Sequence, residues 1–311
     1  MDSRQLGNSG LTVSVVGLGC NNFGSRCDLE QTRAVVEAAL DEGITLLDTA
    51  DIYGNRGDSE RFLGEALKGR RDDVVLATKF GMDMGGGPAE ARGSRWYIRR
   101  AVEGSLRRLQ TDHIDLYQLH VPDSKTPIDE TLAALDELVT DGKVLYIGSS
   151  NFAGWQVADA EWVARNGGGS RFISAQNWYN LLERAPETEL VPACLRFGIG
   201  VLPFFPLASG LLTGKYRRGA EAPAGTRLAG RIDRTPSATF DMVEALQAFA
   251  DERGLSLLEV AIGGLASRPA VASVIAGATR PEQVKANAAA GAWVPSDDDK
   301  AALDKVLGAG S

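Results

Sequence analysis

The sequence predicts an α/β fold, a closed (β/α)8 barrel. Eight short runs rich in Val, Ile, Leu or Phe recur along the chain, and most are followed by a segment of helical period. A further observation concerns chemistry: Asp48, Lys79 and His120 each close a different apolar run, ITLLD, VVLATK and IDLYQLH. Neighbouring parallel strands would bring these three to one rim, where barrels of this kind carry their active sites.

The strands are expected at 13–18, 44–48, 74–79, 114–120, 144–149, 171–176, 199–204 and 272–276. Between them LEQTRAVVEAALDEG, SERFLGEALKG, SRWYIRRAVEGSLRRLQ, PIDETLAALDELVTDGK and FAGWQVADAEWVARNG read as helices. No proline interrupts Glu30–Glu42 or Arg95–Leu109. Pro127 suits a first helical turn, Asp129 and Glu130 meet its positive end, and Gly142 follows its last periodic position. From Pro206 to Pro236 repeated Gly, Pro and Arg predict an irregular connection, long enough to suggest that it binds something or is disordered. Helical patterns resume at 239–253 and 256–267, and again in PEQVKANAAA and DDDKAALDKVL after the eighth strand. One domain spanning 1–311 is therefore expected.

Composition narrows the function. The chain is 44% hydrophobic, enough for a sizeable core, and its net charge of -8 at pH 7 opposes a nucleic-acid or anionic-membrane partner. No apolar stretch reaches a membrane-spanning length and MDSRQLGNSGLTV lacks a signal-peptide apolar region, so a cytoplasmic location is expected. Cys20, Cys27 and Cys194 read as separate free thiols, and His113 and His120 belong to no metal-binding pattern. Gly17-Leu18-Gly19 does not open a GxGxxG loop, because Asn22 stands where the third glycine would fall; this segment is expected to shape the floor of the rim.

At the rim, Asp48 and Lys79 on adjacent strands can pair. Alone this is as readily structural as catalytic. Tyr53, just beyond Asp48, alters the balance, because a nearby ammonium stabilises a phenolate and lowers the phenol's pKa, making the hydroxyl a usable acid or base. His120 can orient a carbonyl oxygen beside it, or serve as a hydrogen-bonded core histidine. The rim offers no Cys-His pair or Ser-His-acid triad, which leaves an external hydride or the amine of Lys79 as nucleophile. Ser150, Asn151 and Gln176 have the donors and acceptors a carboxamide requires, and Phe204 can stack on a flat ring or simply pack. ASGLLTGKY and IAGATRPEQ provide Gly-rich turns near helix starts, where backbone N–H groups receive phosphate oxygens. Lys215, Arg217, Arg218, Arg227, Arg231, Arg234 and Arg280 add local positive charge.

Taken together, LLDTADIYGNRGDSERFLGEAL, VVLATKFG, IDLYQLHVPD, YIGSSNF and FPLASGLLTGKY resemble the aldo-keto reductase family over nearly the whole chain, and specifically its bacterial-type members related to the potassium channel β-subunit-like branch. The resemblance implies a TIM barrel with an N-terminal β-hairpin, fitted by RQLGNSGLTV, and extra helices near 239–253 and 296–308. It implies a catalytic tetrad of Asp48, Tyr53, Lys79 and His120, with Tyr53 the general acid in carbonyl reduction and the general base in alcohol oxidation. It implies nicotinamide contacts from Ser150, Asn151 and Gln176, with Phe204 where tyrosine is more frequent. A pyrophosphate strap is implied over 206–215, including Pro206, Leu207, Ser209, Gly210, Leu211 and Lys215. Around the adenosine phosphate, Gly277, Ala278 and Gln283 replace residues that many members use, while Arg280 can grip a 2'-phosphate, supported by Gln283 and Asn287. NADPH is the implied cofactor, with NADH open because the usual lysine is absent. The substrate expected is a small-molecule aldehyde or ketone, with Tyr53, Met82, Met84, Trp96 and Phe205 as candidates for an apolar or aromatic wall, and the run 84–88 reads either as an adjustable loop beside it or as a tolerant surface turn. The same resemblance leaves open a nicotinamide-binding regulatory subunit, and Lys79 leaves open an aldolase.

Overall fold

The computed structural model describes residues 1–85 and 91–308, so most of the 84–88 run lies outside the described residues. The chain opens with an antiparallel hairpin, β1 (Ser3–Gln5) and β2 (Thr12–Ser14), and continues into eight parallel strands. These are β3 (Val16–Gly19), β4 (Leu46–Asp48), β5 (Val75–Phe80), β6 (Ile114–Leu119), β7 (Val144–Ser150), β8 (Phe172–Trp178), β9 (Gly200–Phe204) and β10 (Val274–Gly277). They pair in chain order, β10 returns beside β3, and a bridge from Val201 to Val271 joins β9 to the approach to β10. The barrel class read from the strand count is the class observed.

One expected strand divides. The run 13–18 serves both β2 and β3, because Ser14 turns its hydroxyl onto the Val16 carbonyl while its own amide bonds Thr45 Oγ1. Apolar content alone cannot locate that change of partner. The hairpin stoppers the strand-start end of the barrel: Leu6 and Val13 pack with Leu46, Ala77, Leu116, Leu202 and Ala272. At its turn Gly7 has φ +59, and a Cβ there would lie 2.5 Å from the Gly198 carbonyl oxygen, so a side chain would lift this stopper off.

The outer layer is helical because each segment buries one apolar stripe against the strands. Its members are α1 (Leu29–Asp41), α2 (Tyr53–Ala66), α3 (Arg95–Leu109), α4 (Ile128–Thr140), α5 (Gly154–Gly167) and α6 (Leu190–Phe197), then α7 (Ser237–Glu252), α8 (Leu257–Ala266), α9 (Pro281–Ala290) and α10 (Asp297–Val306). Asp28 and Gln31 form a capping box on α1, and Ser94 caps α3 by accepting from the Tyr97 amide. Pro127 stands at the N-cap of α4, one residue earlier than its expected first-turn place. The helices α7 and α10 lie outside the strand–helix alternation and are tied by Arg253 to Asp299 at 2.9 Å. The stretch 206–236 holds only two short 3₁₀ turns, Ala208–Thr213 and Ile232–Arg234, and passes over the strand-end rim. No helix among the described residues is long and apolar enough to cross a membrane.

Candidate active site

Lys79 stands at the fifth position of β5, a strand buried over almost its whole length, and points into the barrel. Its Nζ donates to Asp48 Oδ2 at 2.6 Å and to the Thr49 carbonyl at 2.9 Å, with no exposure of the lysine side chain. Asp48 Oδ1 accepts from the amides of Gln176 at 2.9 Å and Gln118 at 3.3 Å. A buried carboxylate thus has an ammonium and two amides, which is the condition for a charge pair to persist away from water.

Tyr53 reaches this pair from an unusual turn. It is the first residue of α2, yet the four residues after it are left-handed: Gly54 (φ 62), Asn55 (φ 57), Arg56 (φ 64) and Gly57 (φ 123). Asn55 secures the turn by donating to the Gly24 carbonyl at 3.1 Å. The Lys79 ammonium lies 5.2 Å from the centre of the phenol ring, and His120 meets that ring edge-on at 5.7 Å. All four residues expected to meet at the rim do so.

Their ionisation differs in one respect from expectation. Burial raises the Tyr53 phenol above its ordinary value, and the opposing pull of Lys79 does not cancel it. The phenol therefore keeps its proton more firmly than the sequence argument held. Burial also works against the Lys79 ammonium, but Asp48 and Tyr53 outweigh it and hold the group above the ordinary lysine value. For His120, burial and then the charge of Lys79 press the imidazole down to about 3, so the ring is neutral, and its Nδ1 is buried without a partner among the described residues.

These groups open into a cavity of about 890 Å³. Ser150 and Asn151 line it at the end of β7. Asn151 is left-handed (φ 60) and gives its amide to the His120 carbonyl at 2.9 Å, coupling the two rim residues. Gln176 spends its amide N–H on Asp48, leaving its carbonyl oxygen as the acceptor for a ligand. Phe204 lines the cavity and meets Phe205 edge-on at 5.3 Å. Pro206, Leu207, Ser209, Gly210 and Lys215 line it from the 206–236 stretch, and Ser209 (φ 59) and Gly210 (φ 96) turn that backbone sharply. Gly277, Arg280, Gln283 and Asn287 complete the wall from β10 and α9.

Leu211 and Ala278 belong instead to the hydrophobic core, so a ligand meets at most their backbone. Gln283 is already engaged, its Oε1 accepting from the Thr279 amide at 2.8 Å. Trp96, expected on the substrate wall, lies half exposed under the Arg100 guanidinium at 4.6 Å and away from the cavity lining.

Sequence reasoning missed one cationic residue of the wall and did not single out another. Arg26 follows the GLGCNNFG segment, and Arg227 rises from the 206–236 stretch with its guanidinium 5.5 Å from the Phe205 ring centre. Both line the cavity, Arg26 helps depress Arg227, and neither has an acidic partner among the described residues. Arg227 stood unranked among several arginines; for Arg26 no pattern in the sequence singled it out. Three guanidiniums without acidic partners among the described residues, those of Arg26, Arg227 and Arg280, join the Lys215 ammonium to make the wall a ready site for phosphate oxygens. All three cysteines are buried and free, and no cluster fit for a metal occurs among the described residues.

A family model described as the aldo/keto reductase family matches residues 15–307. The chain is 41% identical over 295 residues to an uncharacterized oxidoreductase, YrpG, of Bacillus subtilis (strain 168), covering 92% of this chain and 89% of that protein. It is 37% identical over 299 residues to a probable voltage-gated potassium channel subunit beta of Oryza sativa subsp. japonica, covering 92% and 90%. It is 35% identical over 300 residues to L-glyceraldehyde 3-phosphate reductase of Escherichia coli (strain K12), covering 92% and 86%. With the barrel, its hairpin and the polar strand-end rim, these matches establish that the chain belongs to the aldo/keto reductase family.

Proposed function

We propose that the protein reduces aldehydes or ketones to alcohols, using NADPH, with Tyr53 giving a proton to the carbonyl oxygen. The observation that carries this reading is the protonated phenol set between the buried Lys79–Asp48 pair and a neutral His120 at the wall of a large cavity. The residues fit such a cofactor. Ser150, Asn151 and the free oxygen of Gln176 suit its carboxamide, and Phe204 suits its ring. The side chains of Lys215, Arg26, Arg227 and Arg280, none with an acidic partner among the described residues, suit its phosphates. The Asn287 amide, which has no partner among the described residues, suits its adenosine end. When bound, the cofactor supplies the hydride that carbonyl reduction needs.

The protein's own part is polar. His120, uncharged, donates from a ring nitrogen to the carbonyl oxygen and fixes its direction. As that oxygen gains charge, the Tyr53 hydroxyl passes its proton to it, and the Lys79 ammonium stabilises the phenolate left behind. Asp48 holds Lys79 charged and aimed, and in alcohol oxidation the phenolate takes the proton back. The engagement of Lys79 by Asp48, which holds it as an ammonium, argues against an aldolase, whose lysine must attack as an uncharged amine.

Tyr53→Phe tests the reading: nucleotide binding persists while turnover falls by about 10²–10⁴-fold, and unchanged turnover would remove the phenol from its role. The likeness to the probable potassium channel β-subunit of Oryza sativa favours one second reading, a nicotinamide-binding regulatory subunit. A single stoichiometric oxidation of bound NADPH, without steady turnover across a panel of small carbonyls, would select it.

A further inference from the structure

Behind the barrel wall, on the face of β4–β6 turned away from the cavity, lies a second group of buried polar side chains. Asp51 is 1% exposed, and among the described residues neither of its carboxylate oxygens has a hydrogen-bond partner of good geometry. Glu60 of α2 is fully buried beside it, accepting from Thr78 Oγ1 at 2.6 Å and from Arg108 Nε of α3 at 2.6 Å. The Tyr117 hydroxyl of β6 is likewise buried and without a partner among the described residues. Two buried carboxyls thus share one guanidinium, and Glu60 holds it. Burying a second, unpaired negative charge here is costly enough that a proton on Asp51 is the cheaper state.

Asp51 is mechanically tied to the site. Its N–H donates to the Lys79 carbonyl at 3.0 Å, and it precedes Tyr53 by two residues. Arg108 is tied to the same place from outside: a Cβ at Gly57 would fall 2.5 Å from Arg108 Cδ, so the arginine stem is the surface on which the left-handed turn after Tyr53 rests. We propose that Asp51 is a positioning residue for Tyr53, kept as an uncharged carboxylic acid, whose ionisation draws Arg108 from Glu60 and displaces the turn that presents the phenol. This rests on the reading of Tyr53 as proton donor.

The groups around Asp51 agree in sign. Burial and then the charge of Glu60 push its carboxyl up to about 8, against weaker pulls from Arg108, the Ile52 amide and Lys79. The phenols of Tyr97 from α3 and Tyr117 from β6 also feel Asp51, and both are raised, so they stay neutral over the range in which Asp51 titrates. Arg92 and Asp83 act on Tyr97.

The test pairs the wild-type chain with Asp51→Asn, an isosteric side chain that cannot ionise. Infrared difference spectra between the two at neutral pH should show one protonated-carboxyl band belonging to Asp51, bleaching near pH about 8. In chains labelled with 3-fluorotyrosine, the Tyr53 fluorine resonance, assigned through Tyr53→Phe, should move over the same interval in wild type and stay still in Asp51→Asn. Turnover of 4-nitrobenzaldehyde with NADPH, and of its alcohol with NADP+, should decline together over that interval in wild type only. Titration of Tyr53 itself would push the two directions oppositely. Absence of the band, or identical Tyr53 shifts in both chains, would overturn the proposal. If Asp51→Asn does not fold, Tyr117→Phe serves instead: a band whose midpoint moves together with the Tyr53 resonance supports the proposal, and a resonance that ignores it overturns it. Failure of the proton-donor reading is distinguishable, because Tyr53→Phe would then turn over at full rate while the infrared result stands.

Discussion

The Lys79 ammonium sits 2.6 Å from Asp48 Oδ2 with neither side chain appreciably open to solvent. A buried pair of this kind is a poor source of net stability, since desolvation offsets much of the attraction, but removing one partner strands the other. Lys79→Met leaves the Asp48 carboxylate with only the amides of Gln176 and Gln118. The expected loss is about 3–5 kcal/mol in chemical denaturation, together with a further rise of the Tyr53 pKa once the ammonium that pulls it down is gone. In the wild type the lysine's raised pKa contributes stability that is fully present below the unfolded lysine value and lost as pH rises through the folded one. The gap between the denaturation curves of wild type and variant should therefore close on going from neutral to strongly alkaline pH; an unchanged gap would contradict a charged pair.

His120 gives the opposite slope. Its folded pKa of about 3 lies below its ordinary 6.5, so the unfolded chain binds the extra proton first. The associated stability is complete above about pH 6.5 and is lost progressively as pH falls toward the folded value. Thermal melts of wild type should drop more steeply between these limits than melts of His120→Asn, which has no such proton to bind. Turnover in wild type should also show no acid limb from this residue near pH 6.5. A limb there that vanishes in His120→Asn would mean that the imidazole titrates normally and that its neutral role is wrong.

The cationic wall makes a prediction about cofactor choice. Arg280 precedes α9 and Arg227 projects from the 206–236 stretch, both lining the cavity without acidic partners among the described residues. A charge-assisted hydrogen bond to phosphate contributes about 1.5–3 kcal/mol, so Arg280→Ala should raise the KM for NADPH by roughly 10- to 100-fold and that for NADH much less. Arg227→Ala, if it meets the diphosphate common to both, should raise the two alike and weaken their salt dependence. Equal effects of Arg280→Ala on both nucleotides would reassign Arg280 to the shared part of the cofactor.

The barrel and the meeting of Asp48, Tyr53, Lys79 and His120 at its rim were legible because both follow from local pattern. Strand-end residues such as Asp48 and Lys79 declare themselves by closing apolar runs, and parallel pairing does the rest. What escaped depends on three-dimensional neighbours. Ser14 and Val16 read as one strand because hydrophobicity does not register a change of partner. The raised Tyr53 phenol depends on how deeply the ring is buried, which outweighs the ammonium that the sequence did place beside it. Gln176 was legible as an amide but not as one half spent on Asp48. Arg26 became interesting only when the 206–236 stretch brought Arg227 toward it. Asp51 looks like an ordinary polar residue until Glu60 and Arg108 arrive from two helices.

The turn behind Tyr53 supplies the sharpest test of geometry against chemistry, because it can be disturbed without touching a titrating group. Gly54 has φ +62, and a Cβ there would stand 2.3 Å from the Phe23 carbonyl oxygen and 2.8 Å from the Ser59 amide. The left-handed conformation alone costs an alanine about 1–2 kcal/mol, and the backbone contacts cannot yield as a flexible side chain would. Gly54→Ala must therefore shift the turn and carry the phenol with it, while Lys79, Asp48 and His120, held by their own strands, stay in place. A displacement near 1 Å can lower turnover by about 10²-fold, so the variant should lose turnover steeply yet bind nucleotide normally. Its pH profile should keep the shape of the wild type at reduced height, because the ionising groups are unchanged. A variant at full rate would show that the phenol's placement does not depend on this turn, and a profile displaced along the pH axis would show that the turn tunes the phenol as well as aiming it.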